Sequence, residues 1–354
     1  MDSSAPSIWA RVASLATTPL VPSHYLELID PLRATHVRRA RVEAVHDETP
    51  EARTLTLRPG RGWRAHRAGQ FVKIGVEVDG RILTRTYSIS SPPERADGRI
   101  TITVKALPNG RASVALARHV RPGDYVSIDL PQGDFTMPDD PPARVLFVTG
   151  GSGITPVMSM LRSIAARDVM PDVVHLHYAR TTSDVIYARE LDRLTAAHRG
   201  YRLTVVTTRE GGARFGRATL EATTPDWPSR ETWACGPEPL LEAVAEHVRS
   251  GLLHLERFRA KLAPVPPDAQ GGRIRFGRSK KELDASGSTP LLEAAERAGV
   301  HAPHGCRMGI CHSCDATLLA GCVRDLRNGR RIDEPGASFQ PCVCAAAGDV
   351  EIDL

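Results

Sequence analysis

A short loop with three cysteines constrains this 354-residue chain more than any other feature of its sequence. Residues 304–314 read HGCRMGICHSC, so Cys306, Cys311 and Cys314 follow a C-x4-C-x2-C pattern, and a fourth cysteine, Cys342, lies far along the chain. Thiolates of this kind are ligands for iron–sulfur clusters and for zinc. A fold that uses all four must bring the loop and the distant cysteine together around one metal centre.

The spacing favours iron–sulfur ligation. A C-x4-C-x2-C run with a remote fourth cysteine is the plant-type [2Fe–2S] pattern, whereas structural zinc sites usually combine a C-x2-C pair with a second close pair. A Rieske centre needs two histidine ligands, and the neighbouring His301, His304 and His312 do not replace two of the cysteines at matching spacing. We therefore expect the four cysteines named above to hold a [2Fe–2S] cluster, with Cys344 competing with Cys342 for the fourth position.

Composition limits the class of protein. Hydrophobic residues make up 41% of the chain and charged residues 25%, which is typical of a soluble globular protein. No apolar stretch is long enough to span a bilayer, and the first residues lack the basic segment and continuous apolar core of a secretory signal. Because disulfides are rare without export, we expect the seven cysteines to be reduced or bound to metal, in a cytoplasmic protein.

The net charge of +5 is unevenly distributed. Residues 272–354 hold 11 Lys or Arg and 11 Asp or Glu, and residues 1–36 hold two basic and three acidic residues, so the middle of the chain carries about +6. No long basic run is present. This distribution argues against nucleic acid as a partner and favours phosphate-bearing cofactors.

The rhythm of apolar residues changes along the chain, which at this length predicts several domains. Residues 37–138 alternate apolar and polar residues between Gly, Pro and Asp turns, and predict an antiparallel barrel or sandwich. Residues 143–258 alternate strand and helix patterns, and predict a parallel α/β domain. We place the boundaries at 1–36 for an N-terminal extension, 37–140, 141–260, 261–272 for a Pro- and Gly-rich linker, and 273–354 for a small C-terminal domain. We expect the extension to be a strap on the next domain rather than an amphipathic membrane element.

Two glycine-containing motifs follow predicted strands of the α/β region. GGSGITP (150–156) lies between the strand RVLFV and a helix, where glycines let the backbone approach a pyrophosphate at the helix N-terminus. It departs from G-x-G-x-x-G because Pro156 occupies the third glycine position. ACGPEPL (234–240) follows another strand and places Cys235 at the carboxyl edge of the sheet, where such folds bind ligands.

RTYSISS (85–91) ends a strand of the first region. An arginine, an aromatic ring and hydroxyls at alternating positions can share one face of a strand. Arg85 can pair with a phosphate, Tyr87 can lie against an aromatic ring, and Ser88 can hydrogen-bond a ring nitrogen. An ordinary barrel strand is the alternative interpretation.

In combination and in this order, the motifs resemble the ferredoxin–NADP reductase superfamily fused to a C-terminal plant-type ferredoxin. The resemblance covers nearly all of the chain after about residue 37. It implies a multidomain fold with a six-stranded antiparallel β-barrel for the flavin, an α/β parallel-sheet nucleotide-binding domain, and a β-grasp [2Fe–2S] ferredoxin domain. The implied activity is that of an NAD(P)H-dependent oxidoreductase that transfers electrons.

The resemblance also assigns roles to individual residues. For the flavin it implies Arg85, Tyr87 and Ser88 from R-x-Y-[ST], Gly110 and Ser113 from the loop that cradles the phosphates, and Phe258 from the segment HLERF, and we add Lys105 to the cofactor-binding set. For the dinucleotide pyrophosphate it implies Gly150, Gly151, Gly153, Thr155 and Pro156. Beside the nicotinamide it implies Cys235, Gly236 and Pro237.

The implied reaction begins with a hydride that passes from NADPH to the flavin N5, after which single electrons pass to the [2Fe–2S] cluster and to an external acceptor. Tyr87 would flank the flavin ring, Ser88 would hydrogen-bond near N5, and Cys235 would lie by the nicotinamide C4. We favour FAD over FMN. The segment TTRE, with Thr208 and Arg209, resembles the pair that binds the 2′-phosphate of NADP, and therefore favours NADPH over NADH.

A closer resemblance concerns the acceptor. HYLELIDPL, WRAHRAGQFVKIGVEVDG and GCRMGICHSC with the later VRDLRNG are similar to actinobacterial-type oxidoreductases that supply electrons to membrane acyl-CoA desaturases. It implies a membrane di-iron desaturase as partner, fatty acid desaturation as the process, and peripheral association with the inner face of the membrane through that partner. The alternative is the NADH-dependent reductase of a ring-hydroxylating dioxygenase or of an alkane or aromatic monooxygenase. A non-enzymatic zinc-binding module is the remaining interpretation.

Overall fold

The computed structural model describes residues 27–354 apart from positions 35, 109, 259–261, 265, 267–268, 306 and 310–311. The chain divides into two compact units. The first consists of the residues up to Leu83, Tyr87–Cys235 and Ala243–Leu255, and the second of Thr84–Thr86, Gly236–Glu242 and Glu256–Leu354. Much of the N-terminal extension and several positions of the predicted linker lie outside the described residues, so the domain boundaries stay predictions.

Between residues 36 and 128, position 109 apart, six strands form one antiparallel sheet with the order β4-β3-β6-β1-β2-β5. The strands are β1 (Arg39–Thr49), β2 (Ala52–Pro59), β3 (Phe71–Val78), β4 (Arg81–Ser88), β5 (Ile100–Lys105) and β6 (Tyr125–Ile128). Directly after β4, Ile89 bridges to Ile102 of β5, which joins the two ends of this order. The sheet therefore closes into a barrel rather than splitting into a sandwich. A short helix, α1 (Arg111–Val114), leads into a π-helical turn.

The second sheet of the first unit is parallel where its pairings are defined, with the order β11-β10-β7-β8-β9. Its strands are β7 (Arg144–Gly150), β8 (Asp172–Ala179), β9 (Tyr201–Thr207), β10 (Glu231–Cys235) and β11 (Leu253–Glu256). Strand β7 reads RVLFVTG and is buried beyond its first residue, as expected for a central strand covered on both faces.

The helices beside this sheet are α2 (Ile154–Ala166), α3 (Ala188–Ala197), α4 (Arg217–Thr223) and α5 (Glu238–His247). The pattern IYARELDRLTAAH predicts a helix from Ile186, but α3 begins two residues later because Tyr187 has a left-handed backbone with φ of 64°. Helix α4 and strand β11 are elements that the alternation of strand and helix patterns does not predict. Both are short, and β11 is only partly buried.

The second unit contains a mixed sheet with the order β13-β12-β17-β14-β15 and a further strand, β16, paired with β14. Its elements are β12 (Gly272–Phe276), β13 (Lys281–Ala285), α6 (Leu291–Arg297), β14 (Ala316–Asp325), β15 (Arg331–Ile332), β16 (Ser338–Phe339) and β17 (Cys344–Ile352). Strands β12 and β17 are parallel, whereas β14 is antiparallel to β17. Helix α6 buries Leu291 and Leu292 in the same core as the sheet residues Ile274 and Val350, as expected for a sheet that curves around one helix.

The described part of the N-terminal extension packs on the barrel through its second half. The amide of Arg61 donates to the carbonyl of Leu32 at 2.8 Å, and Ala34 is buried. Leu28 and Ile29 face outward, with exposed fractions of 77% and 83%. Among the described residues, the helices all fall short of the length and apolarity that crossing a bilayer requires.

A glycine in β14 provides a test of the C-terminal sheet. Gly321 has φ of +88°, and a Cβ there would lie 2.1 Å from the carbonyl oxygen of Asp349. Gly329 has φ of +76° with nothing within 4 Å of a Cβ. Gly321→Ala should therefore reduce the free energy of unfolding by roughly 1–3 kcal/mol more than Gly329→Ala, since only the first adds a clash to the backbone strain. Urea unfolding monitored by cluster absorbance measures both, and equal losses would contradict the packing of β14 on β17.

Candidate functional site

The two nucleotide motifs lie at the carboxyl ends of neighbouring strands. Strand β7 ends at Gly150, strand β10 ends at Cys235, and Thr149 and Cys235 are register partners. The chain passes from β7 to β8 on one side, while β10 pairs on the other side of β7. The strand order therefore reverses between β7 and β10, and such a switch point is where open α/β sheets form a ligand crevice.

The loop after β7 has the shape needed to receive a phosphate. Gly151–Gly153 forms a single 3-10 turn that runs directly into α2. Gly151 has φ of +53°, and a Cβ there would point into open space, so the loop leaves room for a group to approach its backbone. Thr155 donates its hydroxyl to the carbonyl of Ser152 at 2.9 Å, which braces the turn. Pro156 replaces the third glycine without cost to the helix, because it lies in the first turn.

The CGP segment has a different character. The side chain of Cys235 is fully buried in the core of the nucleotide domain, beside Phe147 and Trp233 in that core cluster. Gly236 and Pro237 follow at the carboxyl edge, and the carbonyl of Pro237 accepts the first amide bonds of α5. The predicted contact of Cys235 with a nicotinamide stays a prediction.

Strand β4 carries the predicted flavin motif. Arg85 and Tyr87 are two positions apart and lie on one face, where both are half-buried, whereas Ser88 is buried on the other face. The expectation that the hydroxyls share this face is therefore wrong for Ser88, since adjacent residues of a strand alternate. Arg85 donates to the carbonyl of Thr84 at 2.7 Å. A cation and an aromatic ring on one face match the phosphates and ring of a flavin.

The second flavin loop is braced by its own serine. The Ser113 hydroxyl donates to the carbonyl of Gly110 at 2.9 Å and accepts from the amide of Leu107 at 3.2 Å. A Cβ on Gly110 would lie 2.4 Å from that hydroxyl, so glycine is what lets Ser113 fold back. Lys105, at the end of β5, pairs with Glu51 at 3.2 Å. The Ser113 hydroxyl and the Lys105 ammonium therefore have protein partners.

Near the carboxyl end of β9, some side chains bond to other protein groups and one is available to a ligand. Thr208 donates its hydroxyl to the carbonyl of Ala179 at 3.2 Å. Arg209 is exposed, and within the described part of the chain its guanidinium has no ion-pair partner. Arg217, by contrast, pairs with Glu221 at 2.7 Å. Of these groups, Arg209 is the cation available to a phosphate.

One charged cluster near this edge was not predicted. Arg180 follows β8 and pairs with both Glu51 at 2.6 Å and Asp184 at 2.7 Å. Hydrogen bonds from the Arg180 guanidinium hold the pKa of Asp184 below its ordinary value. The sequence signal was an arginine directly after a buried strand, but its partner Glu51 is far away in the chain. Phe258, predicted near the flavin, follows β11 and is 40% exposed.

The structure describes two of the four predicted cluster ligands, Cys314 and Cys342. The Sγ atoms of Cys314 and Cys342 lie 3.3 Å apart, well beyond the S–S bond length of about 2.05 Å. Two thiolates on one tetrahedral metal at about 2.3 Å would be about 3.8 Å apart, so a small movement would fit these thiols to one iron. Cys306 and Cys311 lie outside the described residues.

An arginine hydrogen-bonds to the backbone of the cysteine loop. Arg327 donates to the carbonyl of Gly309 at 2.8 Å and forms a fork with the Asp325 carboxylate, with its shortest contact at 2.7 Å. Gly309 has φ of +70°, and a Cβ there would lie 2.6 Å from the guanidinium and 2.7 Å from Val343. Glycine at this position therefore permits the loop to lie close on its support. Arg327 and Asp325 belong to VRDLRNG, which resemblance alone had singled out.

Cys344 differs from Cys342 in its surroundings. It is buried on β17, and burial, with the Asp325 charge adding, raises the pKa of its thiol to about 12. The hydrogen bond with Cys342 lowers the pKa of Cys314 to about 7. The distance between Cys314 and Cys342 supports the predicted ligand set, and the choice of fourth ligand stays a prediction.

Serine substitutions separate the two candidate ligands. We expect Cys342→Ser to prevent normal cluster assembly, because it removes the thiol beside Cys314, and to leave flavin reduction by NADPH intact. Cys344→Ser should retain the cluster. Iron and acid-labile sulfide content, with the visible spectrum, measures both, and loss of the cluster only in the Cys344 variant would show that Cys344 is the ligand.

Comparisons with known families match each region of the chain. Residues 50–137 match the sequence model of the oxidoreductase FAD-binding domain, residues 147–246 that of the oxidoreductase NAD-binding domain, and residues 275–347 that of the 2Fe-2S iron-sulfur cluster binding domain. These matches support iron–sulfur over zinc for the cysteine site.

Similar proteins extend over most of the chain. An NADPH oxidoreductase of Mycobacterium tuberculosis is 46% identical over 351 residues, which cover 97% of this chain and 91% of that protein. The glycine betaine monooxygenase reductase subunit of Pseudomonas aeruginosa is 34% identical over 80% of this chain and 86% of its own. The solved structure of phthalate dioxygenase reductase superposes with a TM-score of 0.65 at 24% identity, covering 89% of this chain and 97% of that one. The structural likeness confirms the multidomain fold.

Proposed function

Because the chain belongs to the oxidoreductase family that combines FAD-binding, NAD-binding and 2Fe-2S cluster-binding domains, we propose that it is the NADPH-dependent reductase of a membrane di-iron fatty acyl desaturase. The family establishes the class, an NAD(P)H-dependent reductase that contains FAD and a [2Fe–2S] cluster. The desaturase and the preference for NADPH are the proposal. The 46% identity to an NADPH oxidoreductase over nearly the whole chain supports the coenzyme, and the sequence motifs that resemble desaturase-partnering oxidoreductases support the acceptor.

The chain supplies binding and orientation to this reaction. When bound, FAD accepts a hydride from the nicotinamide and delivers electrons singly to the [2Fe–2S] cluster. Arg85 would hold the flavin phosphate and Tyr87 would lie against its ring, since both project from one face of β4. The open backbone at Gly151 would hold the pyrophosphate of the nucleotide. No acid–base pair is required, so the residues contribute by setting distance and angle.

The preference for NADPH rests on Arg209. Its exposed guanidinium follows the carboxyl end of β9, where the Thr208 backbone amide donates to the carbonyl of Ala179 at 2.9 Å and fixes the turn. A guanidinium can form paired hydrogen bonds with a 2′-phosphate, which NADH lacks.

Substitution of Arg209 tests the coenzyme preference. Arg209→Ala should lower kcat/KM for NADPH about 10- to 100-fold, the loss of a charge-assisted hydrogen bond, and leave kcat/KM for NADH unchanged. Arg202→Ala, at the other end of the same strand, where Arg202 pairs with Asp172 at 2.9 Å, is the control. Steady-state kinetics with both coenzymes decides, and equal losses for NADPH and NADH would refute a 2′-phosphate contact.

The desaturase proposal rests on the motifs HYLELIDPL, WRAHRAGQFVKIGVEVDG and GCRMGICHSC, which resemble desaturase-partnering oxidoreductases, and on the N-terminal segment. Leu28 and Ile29 present two exposed apolar side chains next to a segment that packs on the barrel. Such side chains would suit a protein that meets its acceptor at a membrane surface.

A second candidate acceptor is the oxygenase component of a monooxygenase or dioxygenase. Two relatives, the glycine betaine monooxygenase reductase subunit and a phthalate 4,5-dioxygenase reductase subunit of Pseudomonas putida, are 34% and 32% identical to this chain. Their names identify oxygenase systems, and the cluster loop would serve either acceptor.

Reconstitution separates the two acceptors. The purified holoprotein and NADPH should support turnover of a di-iron acyl-CoA desaturase in phospholipid vesicles, measured as unsaturated product per NADPH oxidised. The same protein with a purified ring-hydroxylating oxygenase component should oxidise NADPH without coupled product. Coupled turnover with the oxygenase alone would replace the desaturase proposal with the second candidate.

A further inference from the structure

Helix α2 contacts both cofactor regions of the first unit. It begins immediately after the glycine turn at residues 151–153, and its later turns hydrogen-bond the segment that follows β4. Ser159 donates to the carbonyl of Ser91 at 2.7 Å, and Arg162 donates to the carbonyl of Ser90 at 2.6 Å. These acceptors are the last two residues of the segment RTYSISS and lie two and three residues beyond Ser88.

Arg162 is itself held from two sides. Its guanidinium forms a fork with the Glu190 carboxylate, with contacts of 2.8 and 2.6 Å. It also lies over the ring of Tyr187, 4.9 Å from the ring centroid, a distance at which a cation is attracted to an aromatic face. The side chain is only 17% exposed. Because this cation is shielded and donates from all three of its nitrogens, its position relative to the Ser90 carbonyl is well defined.

Tyr187 connects the same cluster to the barrel. It is buried, and its hydroxyl hydrogen-bonds with that of Thr103 on β5. Thr103 in turn shares a hydrogen bond of 2.7 Å with Thr54 of β2. Tyr187 reaches this position with a left-handed backbone, a conformation that costs a residue with a Cβ about 1–2 kcal/mol. Strain of this kind persists where surrounding contacts determine the conformation.

We propose that Arg162, held by Glu190 and Tyr187, is a positioning residue for hydride transfer, which sets the spacing between the predicted flavin strand and the nucleotide loop. Hydride transfer requires the reacting atoms about 3–3.5 Å apart, and a misplacement of about 1 Å can cost about 100-fold in rate. The role proposed for Arg162 requires no contact with either cofactor. The residue acts through the Ser90 carbonyl on one side and through helix α2 on the other. The inference rests on the predicted cofactor motifs and is independent of the acceptor.

A buried arginine elsewhere in the nucleotide domain provides a matched control. Arg230 contacts the Asp172 and Asp226 carboxylates at 2.6 and 2.9 Å and the carbonyl of Val145 at 3.2 Å. Its partners all belong to the nucleotide domain. Arg162→Lys and Arg230→Lys therefore both remove a shielded guanidinium that donates to carboxylates and to a backbone carbonyl, and only the first affects the connection to the barrel.

The test is rapid mixing of each oxidised holoprotein with NADPH in the absence of any acceptor. For Arg162→Lys we expect flavin reduction to slow about 10- to 100-fold, the long-wavelength charge-transfer absorbance of the nicotinamide on the flavin to weaken, and the Kd for NADPH to stay unchanged. Arg230→Lys should retain the wild-type rate and absorbance, while thermal unfolding shows comparable destabilisation of both.

A second pair covers the case in which the lysine variants do not fold. Tyr187→Phe removes the hydroxyl that contacts Thr103, whereas Tyr201→Phe removes a buried hydroxyl bonded to His175 at 2.8 Å inside the nucleotide domain. Only the first should slow flavin reduction and weaken the charge-transfer absorbance. Equal effects within either pair, or an unchanged reduction rate and absorbance in Arg162→Lys, would overturn the assignment. Failure to reduce a desaturase would leave this result unaffected, because the half-reaction contains no acceptor.

Discussion

The parallel pairing of β7 with β8 on one side and β10 on the other is the constraint on which the nucleotide-binding half depends. It brings the carboxyl ends of β7 and β10 together where the strand order reverses, so two motifs more than eighty residues apart in the chain meet at one edge. Parallel strands place their carboxyl ends at the same edge of the sheet. A motif that directly follows each buried strand therefore lies at that edge. Helix α2 begins at this edge, and its hydrogen bonds to the segment after β4 connect the edge to the barrel.

Local patterns were sufficient for most of the elements. Strand β2 coincides with the alternating segment ARTLTLRP, and α2 begins within the motif GGSGITP. The glycine turn and the central strand could be predicted because each depends on residues close together in the chain. The alternating pattern does not distinguish a barrel from a sandwich, because closure depends on the bridge between Ile89 and Ile102.

The engagement of individual site residues could not be predicted in this way. The sequence does not indicate that Lys105 pairs with Glu51, or that the Ser113 hydroxyl folds back on its own loop. It also predicts a helix through Tyr187, whereas burial of the tyrosine hydroxyl against Thr103 imposes a left-handed backbone. These outcomes depend on contacts between distant segments. The role of Arg327 could not be predicted either, because it depends on the hydrogen bond to the carbonyl of Gly309.

The contacts of helix α2 restrict how homologous proteins of this architecture can recombine their domains. Ser159, Arg162 and Ser163 on the helix match the Ser90 and Ser91 carbonyls and the Glu94 carboxylate on the barrel. A chimera that takes its barrel from one homologue and its nucleotide domain from another can lose the Glu94 carboxylate, and the buried Ser163 hydroxyl would then lack this acceptor. Recombination should therefore transmit the two domains as one inherited module, with crossovers tolerated on either side of the pair and selected against between residues 94 and 159.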